Sequence, residues 1–246
     1  MKPLHRLPIA AVSQLNIPNL LDNIAKESGE IASNRLRANL SAFFSWAIKR
    51  GIDLPKGNVV SHTEKRKENS RTRVLSDSEL KAVWNACPDN GFGAAVKLLL
   101  LTGQRRTEIA ALRWDEVHDE KILLPGERTK NARDHTVPLS DAAKAILDKF
   151  RGGDRTCVFG RYDTGFKSCA IAKRELDSRI AKAGKPLDHW TLHDLRRTVA
   201  TRIADLGVQP HIIEAVLNHV SGHKAGVAGI YNRAAYDKEK REALNL

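Results

Sequence analysis

The chain has 246 residues, 41% of them hydrophobic, enough to bury one large domain or one domain beside a smaller helical one. Lysine and arginine total 41 against 29 acidic residues, a net charge of +12, which points to a polyanionic partner and first of all to nucleic acid. The sequence contains no run of about 18 apolar residues able to cross a membrane, and the apolar part of "MKPLHRLPIAAV" is too short for a signal peptide, so a soluble, cytoplasmic protein is expected.

Residues 14 to 50 read as two helices. "NIPNLLDNIAKESG" has Pro18 near a helix start and Gly29 just past the end. "ASNRLRANLSAFFSWAIKRG" carries Leu36, Leu40, Phe43, Phe44, Ala47 and Ile48 at helical spacing and stops at Gly51. Both faces of this helical pair also carry Arg and Lys, as expected of a small module that meets phosphates. Residues 61 to 73 hold no aliphatic or aromatic side chain and many charges, which predicts a linker and a domain boundary. "SDSEL" then opens a second domain near Val74, with Ser76 as N-cap and Glu79 three residues on.

Within that domain "FGAAVKLLLLTG" predicts a buried helix ended by Gly103, and "RTEIAALRW" a second one. "KILLPG" and "DHTVPLS" read as short strands, with Pro125-Gly126 marking a turn. "SDAAKAILDKF", "FKSCAIAKRELDSRIAKAG", "WTLHDLRRTVATRIADLG" and "PHIIEAVLNH" are helical again. The fold class is therefore α+β and predominantly helical: a helical domain with one small antiparallel sheet, preceded by a small all-α domain. Cys87, Cys157 and Cys169 are isolated, with no C-x-x-C pair, which argues against a disulfide framework and a structural zinc site.

Four segments carry candidate chemistry. In "TGQRRTEIAALRW", Gly103 ends one helix and Arg105 sits where the next begins, so a guanidinium and free N–H groups there would suit a phosphate. In "TKNARDHTVPLS", Lys130 lies on the turn of the predicted hairpin. In "WTLHDLRRTVATRIADLG", Thr191 and Asp194 cap a helix that starts at Leu192, and Leu192, Leu195, Val199 and Ile203 form its apolar face. His193 and Arg196 share a face beside that stripe, while Arg197 points further out. A half-buried arginine needs either a bound anion or a salt bridge, for which Glu108 is the candidate. Last, "LNHVSGHKAGVAGIYNRAAY" holds two of the three tyrosines of the chain, Tyr231 and Tyr236, after a helix begun by Pro210 and ending at Asn218-His219.

Together and in this order, T-G-x-R-x-x-E at 102 to 108, Lys130 ahead of "VPLS", H-x-L-R-R-T at 193 to 198, L-N-H at 217 to 219 and Y-N-R at 231 to 233 resemble the tyrosine recombinases, the integrase family of phages and genomic islands. The stretch "ASNRLRANLSAFFSWAIKRG" also resembles the end of that family's helical core-binding domain. The resemblance implies a partial core-binding domain at 1–60, a basic linker at 61–73 and a catalytic domain at 74–246. It implies a site-specific recombinase that cleaves and rejoins duplex DNA, in integration or excision of a mobile element. Tyr231 would be the nucleophile, Arg105 and Arg196 the phosphate clamps, Lys130 the general acid, His193 a proton-transfer group and His219 a phosphate ligand. Neither a cofactor nor a metal is implied, and no carboxylate cluster suited to Mg²⁺ is visible. The partners implied are duplex DNA at attachment sites and three further copies of the chain on paired sites, with a monomer in the free state and room for an accessory DNA-bending protein.

His219 precedes Tyr231 by twelve residues and His223 by eight; the L-N-H context assigns the role to His219, and the Y-N-R context favours Tyr231 over Tyr236. Two other readings remain open: a DNA-binding module without chemistry, since "VATRIADLGVQPHIIEAVLNH" reads as helix-turn-helix, and a type IB topoisomerase relaxing supercoils. The closing "YDKEKREALNL" is expected to form a short helix that docks either in cis or on a neighbouring subunit.

Overall fold

The computed structural model describes the chain except residues 1–3, 5, 153, 161–163 and 220–233. It divides into two compact units, Met1–Arg71 and Thr72–Leu246.

The first unit is built on helices α1 (Asn16–Ser28) and α2 (Glu30–Lys49), joined at Gly29, whose φ of +87° lets one helix end and the next begin at a single residue. The Ser33 hydroxyl donates to the Leu21 carbonyl at 2.9 Å and helps fix the pair. Ile17, Leu20, Leu21, Leu40 and Phe44 form the core with Val12, Val59 and Val60. The predicted apolar stripe of α2 is wider than the face this unit buries: Phe43 and Ile48 remain 48% and 43% exposed. On a helical wheel they lie roughly 60° and 80° to either side of Leu40, at the flanks of the face that Leu40 and Ala47 centre. Residues in the charged stretch after Ser61 hydrogen-bond to α2. Asn34 donates to the Arg66 carbonyl at 2.8 Å and accepts from the Arg66 amide at 2.9 Å, and Arg37 donates to the Thr63 hydroxyl at 2.9 Å.

The second unit is mostly helical with one three-stranded antiparallel sheet, as the hydrophobic periods predict. Helix α3 (Asp77–Ala86) starts with the expected capping box of Ser76 and Glu79. Helix α4 (Gly91–Thr102), apolar except for Lys97 and Thr102, is the spine of the core and packs against the helices Asp141–Asp148 and Leu192–Asp205. Gly93 is required there, because a Cβ would lie 2.0 Å from the Pro88 carbonyl oxygen. Helix α5 (Arg106–Ala110) is shorter than the predicted segment; Trp114–Glu116 continues as a separate 3₁₀ turn.

Strands β1 (Val117–His118), β2 (Lys121–Leu124) and β3 (His135–Pro138) pair in the order β1-β2-β3. The register sets Ile122 opposite Val137 and Leu124 opposite His135, and all four side chains are buried. Helices α6 (Asp141–Asp148), α7 (Cys169–Ala183), α8 (Leu192–Asp205), α9 (Pro210–Val216) and α10 (Asp237–Leu244) complete the unit. Thr198 on α8 accepts the Leu75 amide at 3.0 Å and so anchors the first residues of the unit. Helix α10 docks in cis on β3 and α9; buried Lys240 donates to the Thr136 carbonyl at 2.8 Å and pairs with Asp237 at 2.7 Å. Among the described residues, no helix is long and apolar enough to cross a membrane.

Candidate active site

Gly103, at a φ of +64°, ends α4 and turns the chain so that Arg105 becomes the N-cap of α5. Glu108 closes that end: its carboxylate accepts the Arg105 amide at 2.9 Å and the Arg105 Nη1 at 2.8 Å. The anion at this helix end is thus the protein's own carboxylate, and the backbone N–H expected to face a phosphate is already taken. What Arg105 still offers is its guanidinium edge, whose Nη2 donates to the Asn218 carbonyl at 3.1 Å.

Arg196 lies in the second turn of α8, beside the apolar face of Leu192, Leu195, Val199 and Ile203, all of them buried. The capping box of Thr191 and Asp194 starts the helix at Leu192, as the sequence predicts, and Arg197 turns outward to pair with Asp194. Only 4% of Arg196 is exposed. It makes no direct salt bridge to Glu108. Its Nη1 donates to the Gly103 carbonyl at 2.8 Å and its Nη2 to the Leu217 carbonyl. Burial, then the nearby Arg105 charge, pushes its pKa down to about 10, so it keeps its proton at neutral pH. A buried cation held by neutral carbonyls, with the Glu108 carboxylate near but unbonded to it, retains most of its capacity to attract an anion.

The C-terminus of α9 collects these groups. Asn218 follows the helix with a φ of +48° and turns the chain into His219. The carbonyl of Val216 accepts from Gln104 Nε2 at 2.9 Å and pairs with His135 Nε2 at 3.1 Å, the carbonyl of Leu217 accepts from Arg196, and that of Asn218 from Arg105. Donors and cations from α8, β3 and the turn between α4 and α5 therefore converge on the negative end of one short helix. Neither Gln104 nor His135 stood out in the sequence. Gln104 sits at the free position of T-G-x-R, and the burial of His135 follows from strand register alone.

His193 is exposed on the first turn of α8, and partial loss of water followed by the Arg197 and Arg196 charges lowers its pKa. His219 is lowered further, to about 4, by loss of water around its ring and then by the charges of Arg196, Arg105, His193 and Lys130. Lys130, exposed on the turn between β2 and β3, is thus close enough for its field to reach His219. Five of the six residues singled out in the sequence meet around one turn; the sixth, Tyr231, lies outside the described residues, as does His223. Tyr236 packs edge-on against His211 at 5.3 Å, at the N-terminal end of α9, about 10 Å of helix rise from His219. In α9, Ile212, Ala215 and Val216 are buried, while His211, Ile213 and Glu214 are half-buried. Among the described residues, no group of three or more His, Cys, Asp or Glu side chains is placed to hold a metal ion.

Comparisons with known proteins bear on the family and the fold. The prophage integrase IntZ of Escherichia coli (strain K12) is 30% identical over 227 residues, which cover 86% of this chain and 53% of that protein. The chain thus spans about half the length of that relative. Tyrosine recombinase XerA of Saccharolobus solfataricus is 24% identical over 82% of this chain and 67% of its own length. The fold matches that of lambda integrase, solved as a tetramer bound to a Holliday junction, with a TM-score of 0.68 at 22% identity, over 89% of this chain and 68% of that one. The model of the phage integrase family matches residues 65–238, the greater part of the chain and a range that includes the segments from Thr102 to Arg233, and this chain belongs to the phage integrase family.

Proposed function

We propose that this chain is a cytoplasmic site-specific recombinase that cleaves and rejoins duplex DNA at attachment sites, through a 3′-phosphotyrosine on Tyr231, in integration or excision of a mobile element. The observation that carries the reading is the convergence of Arg105, Arg196, Lys130, His193 and His219 on the C-terminal turn of α9, four of them also felt electrostatically by the fifth. Such a cluster suits a phosphodiester: it is positive and partly desolvated.

The Tyr231 hydroxyl attacks the phosphorus, the bond from phosphorus to the 5′ oxygen breaks, and the phosphoryl group passes to the tyrosine. Arg105 and Arg196 exchange their carbonyl partners for the non-bridging oxygens and stabilise the extra charge of the pentacoordinate transition state. His193, whose lowered pKa keeps it neutral, accepts the tyrosine proton. His219, neutral for the same reason, donates a hydrogen bond to the phosphate, and Lys130 protonates the leaving 5′ oxygen. Rejoining reverses each step, so the bond energy is conserved. The packing of Tyr236 against His211 argues for Tyr231 as the nucleophile. The active assembly is proposed as a homotetramer on two paired sites, with an accessory DNA-bending protein where the sites lie far apart.

The test is covalent trapping. The protein and its Tyr231→Phe and Tyr236→Phe variants are incubated with nicked duplexes carrying attachment-site sequence, and an SDS-resistant adduct is sought. An adduct lost only in Tyr231→Phe is the expected result. Loss only in Tyr236→Phe moves the nucleophile, and tight binding without an adduct on a verified site removes the enzymatic reading. Relaxation of supercoils with no exchange between two sites replaces recombination by a topoisomerase-like activity.

A further inference from the structure

We infer that Asn131 and Asn218 form a latch that positions Lys130 at the phosphate, an inference that rests on the assignment of Lys130 as the general acid. The two residues are 87 positions apart and each adjoins a residue of the cluster: Asn131 follows Lys130, and Asn218 precedes His219. The Asn131 Nδ2 donates to the Asn218 carbonyl at 3.1 Å and to its Oδ1 at 3.0 Å, while the Asn218 Nδ2 returns a bond to the Asn131 Oδ1 at 3.3 Å. The same Asn131 oxygen accepts from the Thr129 hydroxyl at 3.1 Å.

The loop needs such a tie. It leaves β2 at Pro125 and reaches β3 at His135. Its base is held by Arg128, which pairs with buried Glu116 and donates to the Glu108 carbonyl at 3.2 Å. Thr129 and Asp134 staple it internally, through the Arg133 amide at 3.1 Å and the Gly126 amide at 2.7 Å. At the tip, where Lys130 is exposed, the bonds across to another element among the described residues are those between Asn131 and Asn218. A general acid has to come within about 3 Å of the oxygen it protonates. A lysine on a free loop tip, with four rotatable bonds of its own, spends little time there.

The backbone at Asn218 supports the same assignment. Its φ of +48° lies in the region where glycine is at ease and asparagine is the best tolerated of the other residues. A glycine would satisfy the turn and lose the two latch bonds of the Asn218 side chain, keeping the one to its carbonyl. Asparagine at that position keeps both, and its carbonyl also accepts Arg105, so the loop carrying Lys130 is tied to the same turn that the phosphate-clamping arginines hold.

The test compares Asn131→Ala, Asn218→Gly, the double variant and Lys130→Ala; Asn218→Gly keeps a residue suited to the backbone, so the fold is not at risk. Single-turnover cleavage is measured on nicked duplexes whose scissile 5′ atom is oxygen or sulfur, since a thiolate leaves without a proton and an alkoxide does not. Each Asn variant is expected to lose roughly tenfold on oxygen, the scale of one or two hydrogen bonds, and to recover on sulfur as Lys130→Ala does. The double variant should be no worse than Asn131→Ala, which already removes every bond of the latch. Trypsin cleavage after Lys130 and Arg133 in the DNA-free protein should quicken in the same variants. Equal slowing on both substrates, no slowing, or an unchanged trypsin rate overturns the latch. A Lys130→Ala loss that sulfur does not repair overturns the general-acid assignment and the catalytic half of this inference, while the trypsin comparison still judges the contact on its own.

Discussion

Buried His135 should make the second unit lose stability as the pH falls from about 7 to about 5, above the range where most carboxylates titrate. Burial comes first among the causes that lower its pKa from the usual 6.5 to about 3, followed by the Lys240 charge; Arg196 and Arg105 add to it, and the bond to the Val216 carbonyl opposes it. A group whose native pKa is depressed contributes stability that is complete above its unfolded pKa and is lost progressively down to its native one. The window therefore runs from 6.5 to about 3. Between about pH 7 and pH 5 the unfolded histidine takes up its proton and the native one does not, which costs about 2 kcal/mol. His193 and His219 move in the same direction. The paired carboxylates Glu79, Glu120 and Asp141 are also lowered and contribute their losses at more acid pH. The assay is urea unfolding at both pH values for the wild type and for His135→Gln, whose amide still donates to the Val216 carbonyl and cannot be protonated in this range. The gap between the two proteins should change by about 2 kcal/mol between the two pH values. Parallel pH dependences, or a wild type more stable at pH 5, would refute the reasoning.

Other perturbations test the site and its frame. Arg196→Lys should cut adduct formation by about 10²–10³, because an ammonium cannot bridge two carbonyls or two phosphate oxygens as the planar fork does; single-turnover trapping with DNA affinity measured in parallel reads it. Gly103→Ala should lower stability by about 1–2 kcal/mol, since its φ is +64° and the new Cβ would lie 3.1 Å from Val199 Cγ1 and 3.2 Å from Leu217 Cδ2; thermal unfolding checks this. Ser76→Ala removes the N-cap of α3 and should cost about 1 kcal/mol in the same assay, with the site chemistry unchanged. Attachment-site affinity should fall steeply with salt, and Lys130→Ala should reduce the slope of log affinity against log salt by about one. Loss of binding without any change in slope would separate Lys130 from the phosphates.

The local chemistry of this chain is legible residue by residue. The capping boxes at Ser76 and Thr191, the helix stop at Gly103, the start at Pro210 and the outward turn of Arg197 all follow from short-range sterics and hydrogen bonding, which need no knowledge of the rest of the fold. The motifs around Arg105, Lys130, His193, Arg196 and His219 were legible for the same reason: each is a few residues long and keeps its order along the chain. What lay beyond the sequence is how those segments meet. The sequence offered Glu108 as the partner of Arg196 within the chain, and the tertiary structure gives it the carbonyls of Gly103 and Leu217 instead, because Glu108 is already taken by the cap of α5 and the guanidinium of Arg105. The width of the α2 stripe was misleading because periodicity reports which residues share a side, whereas burial depends on how much of that side the neighbouring segments cover. Gln104, His135 and Asn131 gave no signal at all. Their importance lies in reaching the end of a helix some 80 to 110 positions away, and a contact of that separation exists only once the chain has folded.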